Sequence, residues 1–420
     1  MNENESEQMA GILKFHGATP CDKLEESHII IINTCAVREK PIEKLFSLLG
    51  RIKNIKQKNN AVIGIAGCAA QLFKNEILQR NNAVDFVIGP DNLWKLPEII
   101  NSLPKTESSP IQTSRNRAWR EINQVSRQDP VSAYVTIMKG CNNFCTYCIV
   151  PFAKGREKYR PLQYIKEEIK NLAERGYKEI QLLGQNVNSY QDPDSGKNFS
   201  SLLKEIHQIQ GIEWIRFITS HPKNFTPEII QTMAENDKIC HQLHLPIQSG
   251  SDSVLKAMRR GYTREQYLEK VDLLKNLMPD ISLSADIIVG FPGETEKDFY
   301  DTLDVLERVG YTNIFSFRYS ERPYTKASTV KDSVPFEVKK RRLIKLQETQ
   351  RKIQLKFNKS LIGKKMKVLC MGQSQKNHDS YRGRNEAYQV VNFKSPSDVT
   401  GKFVTVEITD CGPYSLIGKI

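Results

Sequence analysis

The chain has 420 residues, 39% hydrophobic and 26% charged, with a net charge of +13. That is enough apolar material for two or three domain cores, and no apolar run approaches the roughly 18 residues that cross a membrane. The opening "MNENESEQMAG" lacks the cationic and apolar stretches of a secretion signal, so a reducing, cytoplasmic setting is expected, where the nine cysteines point to metal binding or catalysis rather than disulfides.

Three short apolar runs, "HIIIIN", "AVIGIAG" and "AVDFVIG", precede residue 95, separated by helix-length patterns such as "KPIEKLFSLLGRIKNI". Continuous β-branched runs alternating with helices predict a small parallel α/β domain over residues 1–100. Cys35 and Cys68 each follow one of these strands directly. Ligands of open α/β sheets gather at strand carboxyl ends, so the two thiols either meet at one edge or are small buried hydrophobes. Residues 101–130, rich in Ser, Pro and charge, read as a linker.

Residues 131–360 carry six further strand candidates: "AYVTIM", "EIQLLG", "WIRFIT", "HQLHLP", "SLSADIIVG" and "NIFSFRYS". Helical patterns lie between them, which predicts an open (β/α)6 arc rather than a full eight-unit barrel. "KGCNNFCTYC", "GQNVNSY", "TSHPKNF", "QSGSDSV", "GFPGETEKDF" and "SERPYTKAS" each sit just after one of these strands. In a βα barrel that gathers them on the catalytic face.

The first of these loops holds Cys141, Cys145 and Cys148 in C-x3-C-x2-C spacing. A structural zinc site needs four protein ligands, and no Cys or His follows until His207. A disulfide would strand one thiol, and ferredoxin-type runs supply four. Three thiolates fit a metal centre with one open position.

After a basic helix, "EVKKRRLIKLQETQRKIQLKFNKSL", residues 361–420 turn to short strands with glycine-bearing turns, predicting a small OB-like barrel. Residues 331–384 hold 16 Lys and Arg against 4 Asp and Glu, so nearly all the excess charge is local. It reads as a polyanion-binding block, most simply for nucleic acid, or as a solvated lysine-rich helix.

The cysteine loop, with Tyr147 before its last thiol, resembles the radical S-adenosylmethionine superfamily. "NTCAVREKPIEKLFSLLGRI", "GCAAQ", "LLGQNVNSY", "TSHPKNF", "HLPIQSGSDSVLKAMRRGYTREQY" and "DIIVGFPGETEKDF" extend the likeness to the methylthiotransferase family over almost the whole chain. "LLGQNVNSY" and "LPIQSGSD" favour its tRNA branch acting on N6-isopentenyl (dimethylallyl) adenosine, over the threonylcarbamoyl-adenosine and ribosomal-protein aspartate branches. A non-catalytic iron–sulfur RNA-binding module is the remaining alternative. The resemblance implies a 4Fe–4S cluster on Cys141, Cys145 and Cys148 whose open iron takes the amine and carboxylate of S-adenosylmethionine. It implies a second 4Fe–4S cluster for which Cys35 and Cys68 match two of three ligands. It also implies a C-terminal TRAM domain, a tRNA anticodon stem-loop as substrate, an electron-donor protein and a monomer.

Tyr147, Gln185, Ser249, Asp286 and Gly290 are candidate cofactor or base contacts, Gly290 serving either as a contact or in a tight turn. Cys21, Cys240, Cys370 and Cys411 have no ligand-like spacing and are expected to be structural. His241 and His244 would fall on opposite faces of a strand. Tyr324 stands where the family usually has Gly, which argues against close backbone approach there. Family members open with a strand ending Gly-Cys-Gln-Met-Asn; Met1 and Asn2 align with its last two residues. The expectation is therefore an upstream start, or a truncated form that lacks the first strand and the third ligand of the second cluster.

Overall fold

The computed structural model describes residues 1–36, 40–103, 110–116, 118–374 and 380–420. They form two compact units. The first comprises residues 1–128 with 138–144 and 148–159; the second comprises 129–137, 145–147 and 160–420.

In chain order the first unit begins α1 (Asn2–Phe15), β1 (Ile29–Asn33), α2 (Lys40–Asn59), β2 (Val62–Ala66), α3 (Cys68–Arg80), β3 (Phe86–Ile88), α4 (Leu96–Ser102) and β4 (Ile111–Gln112). The four strands make one parallel sheet in the order β1-β2-β3-β4. Helices cover both faces, which is why the strands are apolar without alternation. Leu45, Leu49 and Ile52 of α2 and Ile77 of α3 bury one face; Met9 and Ile12 of α1 and Leu96 and Ile99 of α4 bury the other. Each fully buried Ile or Leu contributes roughly 1.5–3 kcal/mol.

The expected linker is partly folded onto this unit. Pro110 and Gln112 carbonyls accept from the Val87 and Gly89 amides, satisfying the edge of β3. Gln71 and Asn92 side chains donate to the Thr113 and Ser114 carbonyls, and the Ser126 amide donates to the Glu7 carbonyl. A bare β3 edge would leave amides unpaired, and this stretch supplies their partners.

The chain enters the second unit with β5 (Ser132–Thr136). It returns to the first for β6 (Met138–Lys139), α5 (Val150–Lys154) and β7 (Lys158–Tyr159), with β6 and β7 antiparallel. The second unit then runs α6 (Leu162–Glu174), β8 (Glu179–Leu183), α7 (Phe199–His207), β9 (Trp214–Phe217), α8 (Pro227–Glu235) and β10 (Gln242–His244). It continues α9 (Asp252–Ala257), α10 (Arg264–Leu277), β11 (Ser282–Val289), α11 (Glu296–Val309), β12 (Asn313–Arg318) and α12 (Phe336–Lys359). Parallel sheets β5-β8-β9 and β10-β11-β12 are joined by an Ile215–Ile239 bridge, giving six strands in chain order. This is the expected open (β/α)6 arc.

Side-chain alternation divides the arc into two faces. Leu243, Leu283, Ala285 and Ile287 are buried, and Ser316 and Arg318 touch α12, so these residues face outward into the helical layer. His244, Ser284, Asp286, Phe315 and Phe317 share the opposite, lumen face by register.

The last five strands, β13 (Lys365–Gln373), β14 (Tyr381–Asn385), β15 (Val390–Lys394), β16 (Phe403–Cys411) and β17 (Ser415–Lys419), close into a barrel. The β14–β15 turn seats against the amino ends of the arc strands. Buried Arg216 of β9 donates through Nε to buried Glu179 at 2.6 Å and through Nη2 to the Asn385 carbonyl at 2.9 Å. Tyr388 Oη donates to Gln181 at 3.2 Å, and Trp214 meets Phe403 edge-on. The closed barrel thus forms the floor of the lumen.

Candidate active site

The cysteine loop follows β6 at the carboxyl end of the arc's first strand. Gly140 has φ +84°, and a Cβ there would stand 2.1 Å from the Arg156 carbonyl oxygen, so only glycine fits the loop's first turn. Cys141 and Cys148 lie on segments that pack with the first unit and Cys145 on a segment of the second. The Cys141 amide donates to the Gly155 carbonyl and its Sγ receives Asn143 Nδ2 at 3.5 Å.

Cys145 is buried, and Arg260 Nη1 donates to its Sγ at 3.4 Å. The same guanidinium donates to Tyr147 Oη, the Pro246 carbonyl and Tyr262 Oη. His221 Nε2 stands 3.8 Å from Cys145 Sγ, while its Nδ1 accepts from the Lys223 amide. Burial, with Arg260 and Lys223 nearby, drives this imidazole's pKa down to about 2. The ring is therefore neutral, with its proton on Nε2 facing the sulfur. The Thr146 amide donates to the Met258 carbonyl, and the Thr146 carbonyl accepts from Ala327, which fixes the loop on both sides.

All nine cysteines are free thiols. Among the described residues, no three His, Cys, Asp or Glu side chains are gathered tightly enough to hold a metal ion. The donor set nonetheless suits an iron–sulfur cluster: three thiols within eight consecutive residues, with N–H donors on two of the sulfurs, the outer-shell bonds that tune such clusters.

The neighbouring strand-end loops are braced together. The Asp298 carboxylate, at the start of α11, accepts from the Ser251 and Ser253 hydroxyls. Burial pushes its pKa up, but these bonds with those from Thr295 outweigh burial and hold it below the usual carboxylate range. Ser249 is wholly buried, with its hydroxyl on Thr302, so it braces the same loop. Gly290 has φ +73° and its amide donates to Glu294, which pairs with Arg342, so Gly290 makes the tight turn. Tyr147 packs against the buried cluster that includes Phe291 and Tyr319, linking the cysteine loop to "GFPGE" and "SERPYT". Gln185 is half-buried just beyond β8, and Asp286 faces the lumen beside His244. Tyr324 has φ +67° and is exposed, keeping a left-handed turn at a cost of about 1–2 kcal/mol.

Cys35 and Cys68 stand at matched positions in the first unit, two residues past the register pair Asn33–Ala66 of β1 and β2. The Ala69 amide donates to the Thr34 carbonyl, tying the two loops. Burial raises the Cys68 thiol to about 11, opposed by the ammonium of Lys154. Lys154 is buried with Glu5, to which it donates, and both shape the field at Cys68. Cys240 and Cys370 are buried. His241 bonds Asp280, while His244 bonds Ser284, so the two histidines do not form a pair.

Three family profiles match the chain: the Radical SAM superfamily over residues 135–306, Uncharacterized protein family UPF0004 over 1–89, and the TRAM domain over 359–420. The tRNA-2-methylthio-N(6)-dimethylallyladenosine synthase of Acetivibrio thermocellus is 44% identical over all of this chain and 88% of its own length. Those of Clostridium botulinum (43%, 94% of its length) and Syntrophus aciditrophicus (42%, 92%) are similar throughout. The chain belongs to this synthase family. Among solved structures, the radical S-adenosylmethionine methyltransferase TsrM of Kitasatospora setae matches with a TM-score of 0.54 at 15% identity. That match covers 76% of this chain and 66% of the other, and bears on the fold alone. Arg260, His221 and Lys154 went unmarked in the sequence: "RRGYT" and "TSHP" were visible as loop motifs, but only the folded arc puts Arg260 and His221 beside Cys145.

Proposed function

We propose that this synthase-family chain adds a methylthio group to C2 of N6-dimethylallyladenosine beside the anticodon of tRNA. Identity of 44% across the whole chain carries this reading, because it spans the cysteine loop, the arc and the closed barrel together. Cys141, Cys145 and Cys148 would hold one 4Fe–4S cluster, and Cys35 and Cys68 would serve a second. The first cluster, when bound, supplies the electron that splits S-adenosylmethionine into methionine and a 5′-deoxyadenosyl radical. The chain's own residues do the rest. Arg260 and His221 direct N–H groups at Cys145 and fix its loop. Asp298, Ser251 and Ser253 lock the loops over the lumen mouth. The floor formed by the closed barrel limits water at the rear of the lumen, which suits radical chemistry.

Exposed Lys340, Arg341, Lys345, Arg351, Lys352 and Lys356 of α12 supply phosphate contacts. The target base leaves the anticodon stack to enter the lumen. The electron comes from a separate donor protein, and the enzyme acts as a monomer in the cytoplasm. Among the described residues no helix is long and apolar enough to cross a membrane. Nucleoside mass spectrometry of a strain lacking the gene tests the substrate class. Loss of the methylthio mark from tRNA, restored by the gene, is expected; an intact tRNA mark with an altered ribosomal protein would overturn it.

A further inference from the structure

The lumen wall is neither core nor ordinary surface. Phe315 on β12 is 45% exposed although it lies on the inner face of a strand, opposite the face covered by α12. Its ring meets His244 edge-on at 5.8 Å. His244 is buried; its Nδ1 lies 3.0 Å from Ser284 Oγ and its Nε2 3.6 Å from Asp286 Oδ2. With the Ser284 hydroxyl donating to Nδ1, the Nε2–H faces Asp286 and steadies its carboxylate. Asp286 and Phe315 are register partners on adjacent parallel strands, so carboxylate and ring stand side by side. Phe317, the next inward residue of β12, pairs with Ile288 and extends the apolar strip.

We propose that His244, Asp286 and Phe315 form the subsite that reads the N6 substituent of the target adenine. This rests on the function proposed above and names the part of the lumen that selects the substrate. An N6-dimethylallyl adenine offers a single N6–H and a short, branched apolar tail. Asp286 accepts the N6–H, held in place by His244. Phe315 and Phe317 cover the tail, as an apolar group prefers an apolar wall. The same carboxylate repels an N6 group that ends in a carboxylate, such as threonylcarbamoyl, so the subsite rejects the competing modified adenosine by like charge. The arc's outer residues are packed under helices and contribute nothing to this choice.

The test measures binding of anticodon stem-loops that differ only at N6, bearing hydrogen, dimethylallyl or threonylcarbamoyl, to the anaerobically reconstituted full chain. The native protein is expected to prefer the dimethylallyl RNA over the unmodified one by at least ~10-fold, falling to ~2-fold in Phe315→Ala with affinity for unmodified RNA unchanged. Phe315→Leu, which keeps an apolar side chain, should recover part of the preference. Asp286→Asn should narrow the gap between the dimethylallyl and threonylcarbamoyl RNAs. Variants that keep the native ratios, or that weaken all three RNAs equally, would overturn the subsite while leaving the function intact. A native protein with no preference and no methylthio product would instead overturn the function on which the subsite rests.

Discussion

At Cys145 a buried sulfur takes an N–H from Arg260 and faces the neutral ring of His221. Losing this one thiol leaves two, too few to hold a cubane with a single open iron. Cys145→Ala is therefore expected to lose the loop's iron and to form no 5′-deoxyadenosine, measured by iron analysis and chromatography after reduction. Deoxyadenosine at the native rate would contradict the assignment. The three cysteines stand out in the sequence as a candidate cluster site because they lie within one short loop. Arg260 was not legible, since it lies over a hundred positions away in sequence and reaches the sulfur only through the fold.

Between elements, the strand-end loops after β10 and β11 are joined through Asp298. Asp298→Asn keeps the shape but weakens three hydroxyl bonds to a charged acceptor, and should cost about 1–3 kcal/mol of unfolding free energy in urea. The pH dependence has a definite sign. The folded pKa lies below the ordinary value of about 3.9, so Asp298 stabilises above that pH and the gain fades as pH falls further. The variant should therefore lose stability at neutral pH and show a shallower decline in strong acid; equal acid profiles would refute the brace. The six-strand arc was readable because apolar runs recur with polar loops at one end. α1 was not, because its buried residues include Asn4, Glu5, Glu7 and Gln8, which no apolar periodicity reveals. β4 escaped too: it has only two residues, and its reason for being a strand is the edge of β3.

Within the larger unit, the joint between arc and closed barrel rests on Arg216, which is 1% exposed, as is Glu179. Arg216→Met removes the cation and leaves Glu179 and two carbonyls without it. The expected loss is about 3–5 kcal/mol, seen as an earlier urea transition. An unchanged midpoint would show that the floor is not held by this pair. The sequence announced a basic block and a small barrel, yet nothing in the spacing of Glu179, Arg216 and Tyr388 signalled that the barrel closes the lumen. On α12, Lys345→Glu with Lys352→Glu should weaken tRNA binding and flatten its salt dependence by about one to two phosphate contacts. An unchanged salt slope would remove this helix from the RNA surface. The central claim is tested most directly by incubating the reduced, reconstituted protein with S-adenosylmethionine and tRNA bearing N6-dimethylallyladenosine, then digesting the tRNA for nucleoside mass spectrometry. The expected result is 2-methylthio-N6-dimethylallyladenosine, absent when the same tRNA lacks the dimethylallyl group. Steady deoxyadenosine release with no methylthio nucleoside from either tRNA would contradict it.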